Sequence, residues 1–235
     1  MAETVVIPRR FNGPKDSGNG GYTCGVVAAL VDSGSVRVSL RAPPPLERPL
    51  TVERGDPLTV LDGDTVVAEA APAELDLDVP DPLGVEEAEE AARSGYEHWT
   101  TGHPFPSCFV CGPDREPGDG LRIFPGQLPG RELWAASWIP DASLAEAGSV
   151  REECVWAALD CPTSAPVANF GQGPPIVLAQ LTTRVEAPVA AGRPHVLVSW
   201  KLGEDGRKRH GAAALFSEAG DLLARSLALW IELRG

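Results

Sequence analysis

The stretch VREECVWAALDC, residues 150–161, constrains the fold more than any other part of the chain. Its apolar residues recur at helical spacing, which predicts a helix that ends at Pro162. Three β-rich stretches then close the sequence, at residues 176–189, 194–205 and 211–233. A helix followed by an antiparallel meander is one of the few layer arrangements that bury a common core, so the second half is predicted to be α+β.

The first half repeats this order. GGYTCGVVAALV, residues 20–31, predicts a buried helix that begins at a glycine turn, and residues 36–70 then alternate as strands. Asp62-Gly63 lies between β-branched runs and predicts a hairpin turn. One helix and one meander, found twice, indicate an internal duplication at the level of structure.

An acidic segment separates the two halves. Residues 74–90 carry eight carboxylates and no Lys or Arg, which is typical of a solvated face. Residues 85–93 predict a short exposed helix that stops at Ser94-Gly95. We therefore divide the chain into an N-terminal half (1–80), an acidic connector (81–107) and a C-terminal half (108–235), with strands predicted at 120–124 and 132–140.

Composition excludes several classes of protein. The 235 residues are 43% hydrophobic and 23% charged, as in a globular protein, and the net charge of −13 disfavours binding to nucleic acid or to an anionic membrane surface. No signal peptide or spanning helix is predicted, and five cysteines at irregular spacing do not resemble a disulfide framework. The sequence predicts a cytoplasmic protein.

Three segments carry a resemblance to a known family. CFVCGPDREPGDGLRIF (108–124) and the step Ala157-Ala158-Leu159-Asp160 resemble the opening and the central helix of hotdog-fold thioesterases. FNGPKDSGNGGYTCGVVAAL (11–30) is similar to the Gly-Gly-Tyr opening of the double-hotdog acyl-CoA thioesterases. The resemblance implies two tandem hotdog domains, each an antiparallel sheet wrapped on a central helix, with the aspartate of the helix facing a thioester.

The resemblance also implies further site residues. The double-hotdog relatives hold the attacking water with a Gln and a Thr beside the aspartate, and Gln180 and Thr182 occupy the strand after the helix. The Gln of the last strand is missing, and Ser226 is the nearest polar residue. Residues 151–153, Arg-Glu-Glu, stand where the family has His-Gly-Gly, so the backbone donors of the oxyanion hole would have to come from a helix start that carries side chains.

The residues themselves support a catalytic carboxylate. Helical spacing places Glu153 and Asp160 on one face, and an acid on an otherwise apolar helix is costly to bury without a purpose. Asp160 is predicted to activate water, or else to cap the loop near Pro162. Glu153 is the rival acid, or else it complements the helix dipole.

Four residues of the first half are predicted to contact the ligand: Gly20, Gly21, Tyr22 and Asn12. Backbone at the two glycines can approach the pantetheine arm or the acyl chain closely, although a plain turn at the helix start explains them equally well.

A zinc site is the alternative for the cysteines of the second half. Cys108 and Cys111 follow His98 and His103, and sulfur and imidazole suit tetrahedral zinc. A single Cys-x-x-Cys is a weak motif, so we interpret it as a packed turn and predict neither a metal nor another cofactor. Cys154 and Cys161 read as small core residues.

Taken together, these features predict an acyl thioester hydrolase, similar to acyl-CoA thioesterases, in which a helix carboxylate activates water. The partner would be a small acyl thioester of CoA or of an acyl carrier protein, and homo-oligomerisation is left open. The main alternative is a catalytically inactive hotdog module that binds acyl thioesters or a related small apolar ligand. A hotdog dehydratase would need a His paired with an acid, and no such motif surrounds His195 or His210.

Overall fold

The computed structural model of the chain describes residues 3–168 and 174–234. In the first half the elements are β1 (Thr4–Val5), α1 (Gly20–Ala28), β2 (Val36–Leu40), β3 (Leu50–Glu53), β4 (Leu58–Asp62) and β5 (Thr65–Pro72). The connector forms α2 (Val85–Thr100). In the second half they are β6 (Gly126–Gln127), β7 (Leu133–Trp138), β8 (Ala145–Glu146), β9 (Ser149–Val150), α3 (Glu152–Ser164), β10 (Ile176–Val185), β11 (His195–Asp205), β12 (Lys208–Ser217) and β13 (Leu222–Glu232). None of the helices within this described part is long and apolar enough to cross a membrane.

Eleven of these strands form one antiparallel sheet, in the order β1-β3-β4-β5-β2-β10-β13-β12-β11-β7-β6. The two halves meet edge to edge where β2 pairs with β10, with Arg37 opposite Thr182. The predicted α+β class is thereby confirmed, and the antiparallel sheets of the two halves are joined into one. The boundaries at residues 80/81 and 107/108 stay predictions.

Helices α1 and α3 lie against one face of the sheet and cross each other at two glycines. A Cβ on Gly21 would lie 2.3 Å from Asp160 Cβ, and a Cβ on Gly25 would lie 2.5 Å from Glu153 Cα. The two helices therefore run in opposite directions, and only glycine allows them to approach this closely. The contact places the start of α1 beside the last turns of α3.

Within the described residues, the opposite face of the sheet carries a second apolar cluster in the second half. Along β12, Ala213 and Leu215 join the core beneath α3, whereas Ala212 and Ala214 pack in a second cluster with Ala88 of α2. Strands buried on both faces lose the simple alternation of apolar and polar residues. This explains the uniformly apolar sequence GAAALF at residues 211–216.

Helix α2 corrects one prediction about the connector. The sequence predicted a helix over 85–93 with a stop at Gly95, but α2 continues to Thr100. Gly95 packs against the backbone of Gly126, since a Cβ on Gly95 would lie 2.6 Å from Gly126 Cα. The glycine therefore serves a close crossing and does not end the helix, and the face that includes Trp99 is buried. Seven of the eight carboxylates of residues 74–90 are exposed, as predicted for a solvated face.

Two other predictions about elements are wrong. Residues 120–124 form no strand, although Leu121, Ile123 and Phe124 are buried, because Arg122 has a φ of 53° and interrupts the extended backbone. The amides of Leu121 and Ile123 instead donate to the carbonyls of Phe109 and Val110, at 2.7 and 3.0 Å.

Helix α3 also does not end at Pro162. Proline removes its own N–H donor and crowds the carbonyl four residues earlier, but the hydroxyls of Thr163 and Ser164 donate to the carbonyls of Asp160 and Cys161 at 2.6 and 2.7 Å and support the last turn. The helix continues to Ser164.

Candidate active site

A cavity of about 760 Å³ opens where the start of α1 meets the last turns of α3. Its wall also includes the ends of β2 and α2 and the start of β10. Most of the lining side chains are apolar: Leu40, Trp99, Phe105, Ile176, Leu178 and Trp230. This size and lining are those of a small-molecule site with a few oriented polar groups.

Asp160 is the carboxylate of this cavity, and only 2% of it is exposed. Its Oδ2 accepts hydrogen bonds from Asn19 Nδ2 at 2.8 Å and from the Gly21 amide at 2.9 Å. Its Oδ1 is buried and has no hydrogen-bond partner among the described residues. Burial raises the pKa of Asp160 to about 7, although the Gly21 hydrogen bond acts to lower it. The side chain is thus held by one oxygen, and the other is left available.

Asn19 is a site residue that the sequence analysis missed. It is the N-cap of α1, with Oδ1 accepting from the Tyr22 amide at 2.8 Å while Nδ2 donates to Asp160. Asparagine is among the preferred N-cap residues, so its place directly before Gly20-Gly21 was enough to predict the cap. The contact with Asp160 is between residues 141 positions apart and could not be read from spacing.

The start of α1 supplies backbone donors to the cavity. The first amides of a helix lack intrahelical partners. The Gly21 amide donates to Asp160, and the Tyr22 amide donates to Asn19. The Gly20 amide makes no hydrogen bond within residues 3–168 and 174–234. Gly20 lines the cavity, so its N–H is a candidate donor to a carbonyl oxygen bound beside Asp160.

The start of α3 is not at this cavity. Glu153 packs under Gly25 of α1, and its carboxylate lies 3.5 Å from the Arg151 guanidinium. Arg151 and Glu152 line a separate, smaller cavity together with Val185 and Val189. The expectation that the oxyanion donors and a second acid come from residues 151–153 therefore has no support in this geometry, because Glu153 is two helical turns from Asp160.

Gln180 and Thr182 are not brought to Asp160 either. Ser226 Oγ lies 3.5 Å from the Leu159 carbonyl of α3, and Thr183 is paired opposite Ser226 in the sheet. Because side chains alternate along a strand, Thr182 faces away from α3. Gln180 lies on the same side as Thr182 and donates to Ser39 Oγ at 2.8 Å.

The four predicted ligand-contact residues separate into two groups. Gly20 lines the cavity and Gly21 holds Asp160. Tyr22 is buried in a stack with Phe11, with ring centroids 3.8 Å apart, and burial raises its pKa well above the ordinary value. Asn12 is 6% exposed and donates to Ser107 O at 3.1 Å. Tyr22 and Asn12 therefore hold the segments around the site and do not line the cavity.

Three cysteines also line the cavity beside Asp160: Cys108, Cys111 and Cys161. Their Sγ atoms all lie within 4.8 Å of one another, and the pair Cys108–Cys161 is 3.8 Å apart. Hydrogen bonds from Cys111 and Cys161 hold the pKa of Cys108 well below its usual range. Burial raises the pKa of Cys111, and the hydrogen bond to Cys108 raises that of Cys161. Of the three thiols, Cys108 is therefore the one whose surroundings favour the deprotonated form.

Neither His98 nor His103, the histidines of the alternative zinc set, belongs to this cluster in the described part of the chain. His103 lines the cavity, but its Nδ1 accepts from the Phe105 amide at 2.9 Å. Cys161, read from sequence as a core residue, takes the place beside the Cys-x-x-Cys instead.

Solved structures with the same arrangement of elements were found. A tesB protein of Mycobacterium avium subsp. paratuberculosis superposes with a TM-score of 0.60 at 12% identity, over 94% of this chain and 89% of that one. The acyl-CoA thioesterase II of Mycobacterium marinum gives 0.56 at 14% identity, over 98% and 91%. A hot dog fold protein of unknown function from Alicyclobacillus acidocaldarius gives 0.51 at 14% identity, over 99% and 92%. The sequence matches no protein-family model and no curated protein.

The chain therefore has the double-hotdog fold that the sequence predicted, over nearly its whole length. At such low identity the likeness establishes the fold alone, because the same fold serves many functions.

Proposed function

We propose that this protein hydrolyses an acyl thioester, with Asp160 as the group that activates water. The observation that carries the proposal is the state of Asp160: buried in the wall of the cavity, fixed through Oδ2 by Asn19 and Gly21, and unpaired at Oδ1. An unpaired carboxylate oxygen in such a place is costly, and a bound water would satisfy it.

The reaction needs two functions from the protein. Asp160 Oδ1 accepts a proton from water as the water oxygen attacks the thioester carbonyl carbon. The negative charge that develops on the carbonyl oxygen is stabilised by the Gly20 amide at the positive end of the α1 dipole. The carbon–sulfur bond then breaks, and the proton held by Asp160 goes to the thiolate, so the products are a free thiol and a carboxylic acid.

The comparisons support the choice of a thioester. Two of the structures that share the fold, from Mycobacterium avium subsp. paratuberculosis and Mycobacterium marinum, carry the names tesB protein and acyl-CoA thioesterase II. The apolar cavity wall suits an acyl chain. We take the substrate to be an acyl-CoA or an acyl carrier protein thioester, and the protein to act in the cytoplasm.

The second candidate is a module that binds an acyl thioester without hydrolysing it. It is favoured by the position of Gln180 and Thr182, which face away from α3 and leave Asp160 without the side-chain partners that the resemblance implied. Both candidates need the same cavity and differ only in turnover.

The test is the release of free thiol from acyl-CoAs of graded chain length. Asn keeps the shape of Asp160 and can accept from Gly21, but it cannot take a proton, so Asp160→Asn should lower kcat/KM by roughly 10²–10⁴-fold with ligand binding retained. Asp32→Asn, at an exposed aspartate after α1, is the matched control and should be unchanged. Native turnover in Asp160→Asn would refute the role of Asp160. Binding of acyl-CoA without turnover by the native protein would establish the second candidate.

A further inference from the structure

The three cysteines beside the cavity form a set of donors that the hydrolysis proposed above does not use. Cys108 and Cys111 come from the segment that precedes β6, and Cys161 comes from α3, 53 residues after Cys108. All three are at least 94% buried, and no disulfide joins any of the five cysteines in the described chain. Buried thiols are usually inert core residues. Packing alone does not require three sulfur atoms from separate segments to lie side by side.

The spacing of the sulfurs matches a tetrahedral metal centre. Zinc–thiolate bonds of about 2.3 Å require sulfurs about 3.8 Å apart along each edge of the tetrahedron. Cys108 Sγ and Cys161 Sγ are 3.8 Å apart, and Cys111 Sγ lies within 4.8 Å of both. A shift of the Cys111 sulfur by about 1 Å would complete one face of such a tetrahedron.

The surroundings of Cys108 suit a metal-bound thiolate. Asn19 Nδ2 donates a hydrogen bond to its sulfur at 3.9 Å. Outer donors of this kind orient and stabilise metal ligands. Gly112 keeps the turn tight, since a Cβ there would lie 2.4 Å from the Cys108 carbonyl oxygen.

We propose that Cys108, Cys111 and Cys161 bind one soft divalent ion, zinc by its preference for thiolates, with three protein ligands and a fourth position open to the cavity. The ion would tie the segment that contains residues 108–112 to α3. All three cysteines line the cavity, so the fourth ligand is a water or a ligand group that enters there. Closed structural zinc sites have four protein ligands, whereas sites with three keep an exchangeable position.

The experiment measures metal binding directly and does not use thioester turnover. The full-length protein, reduced and freed of metal, is titrated with Zn²⁺ against a chromophoric chelator and separately with Co²⁺, whose absorption reports the number of thiolates and the geometry. We expect one ion per chain, a thiolate-to-cobalt charge-transfer band, and a Tm that rises with added Zn²⁺ because the ion binds the folded state.

Variants assign the ligands. Cys161→Ser and Cys108→Ser should weaken Zn²⁺ binding by more than the roughly 10–100-fold that outer-shell partners contribute, and their Tm should no longer respond to Zn²⁺. Cys154→Ser is the matched control, because Cys154 is also buried on α3 but lies outside the cluster; it should bind as the native protein does.

Several outcomes would overturn the proposal. A stoichiometry below one Zn²⁺ per chain would do so, as would a Co²⁺ spectrum without thiolate bands or a Zn²⁺ affinity that is unchanged in Cys161→Ser. A protein mass two units below that of the reduced chain, which would show a disulfide within the cluster, would also overturn it. If the serine variants fail to fold, the Co²⁺ spectrum of the native protein decides.

Discussion

Gly21 and Asp160 meet where the two central helices pack closely against each other. The Gly21 amide donates to Asp160 Oδ2 at 2.9 Å, and a Cβ on Gly21 would lie 2.3 Å from Asp160 Cβ. The same residue thus provides both the hydrogen bond and the space that the carboxylate needs. Every test of the site depends on this contact.

Gly21→Ala should displace Asp160 and destabilise the fold. The added methyl overlaps a side chain on α3, and overpacking of this kind costs roughly 1–3 kcal/mol of unfolding free energy. Urea denaturation with thiol release measures both effects. Gly34→Ala, at an exposed glycine with nothing within 4 Å of its Cβ position, should stay within about 0.5 kcal/mol of the native protein. Equal stability of the two variants would contradict the helix crossing described here.

Asn19 has two roles that substitution can separate. Asn19→Ala removes the N-cap and the donor to Asp160, and it should cost about 0.5–2 kcal/mol together with activity. Asn19→Ser keeps a good N-cap but has no amide to donate, so its stability should be near native while kcat/KM falls. A serine variant with native kcat/KM would show that Asn19 acts only as a helix cap.

Gln180→Ala should leave kcat/KM near the native value, against the expectation from the resemblance. The Gln180 amide donates to Ser39 and lies on the face of the sheet away from α3. Thr182→Val is the companion variant and should behave in the same way. Loss of turnover in either variant, with binding retained, would mean that the bound state rearranges this strand.

His195 should make the protein less stable in acid. Burial lowers the pKa of its imidazole below the ordinary value of 6.5, so the unfolded chain takes up a proton that the folded chain resists. Where the unfolded state binds more protons, the free energy of unfolding falls as the pH falls. The loss should begin near pH 6.5 and level off below the folded-state pKa.

The measurement is the unfolding free energy of native protein and His195→Gln across this pH range. Glutamine does not titrate, so the difference between the two curves isolates His195 from other groups, and it should shrink as the solution becomes more acidic. A difference that is independent of pH would contradict this account.

Local patterns predicted the elements of this fold well. The apolar spacing of residues 150–161 gave α3, the glycine opening gave α1, and Asp62-Gly63 gave a hairpin that the structure places between β4 and β5. One of the failures has its cause in a tertiary contact. Gly95 was interpreted as a helix stop because the sequence does not show that Gly126 packs against it.

The candidate site was predictable only in part. Asp160 stood out because an acid on an apolar helix is rare. Its partners come from a helix about 140 residues earlier, and no spacing rule links Asn19 to Asp160. The placement of Gln180 and Thr182 relative to Asp160 could not be predicted either, because two positions on one strand indicate a shared face but not which face meets the helices.

The covering of the second half by α2 has a consequence for how the chain can be divided. Val196, Val198 and Phe216 lie beneath α2 and the segment before it, on the face away from α3. A fragment beginning at residue 108 would present these side chains to water as one continuous apolar surface, and such surfaces promote aggregation. The two halves are therefore not interchangeable modules, because the second half depends on a helix of the connector to cover one face of its sheet.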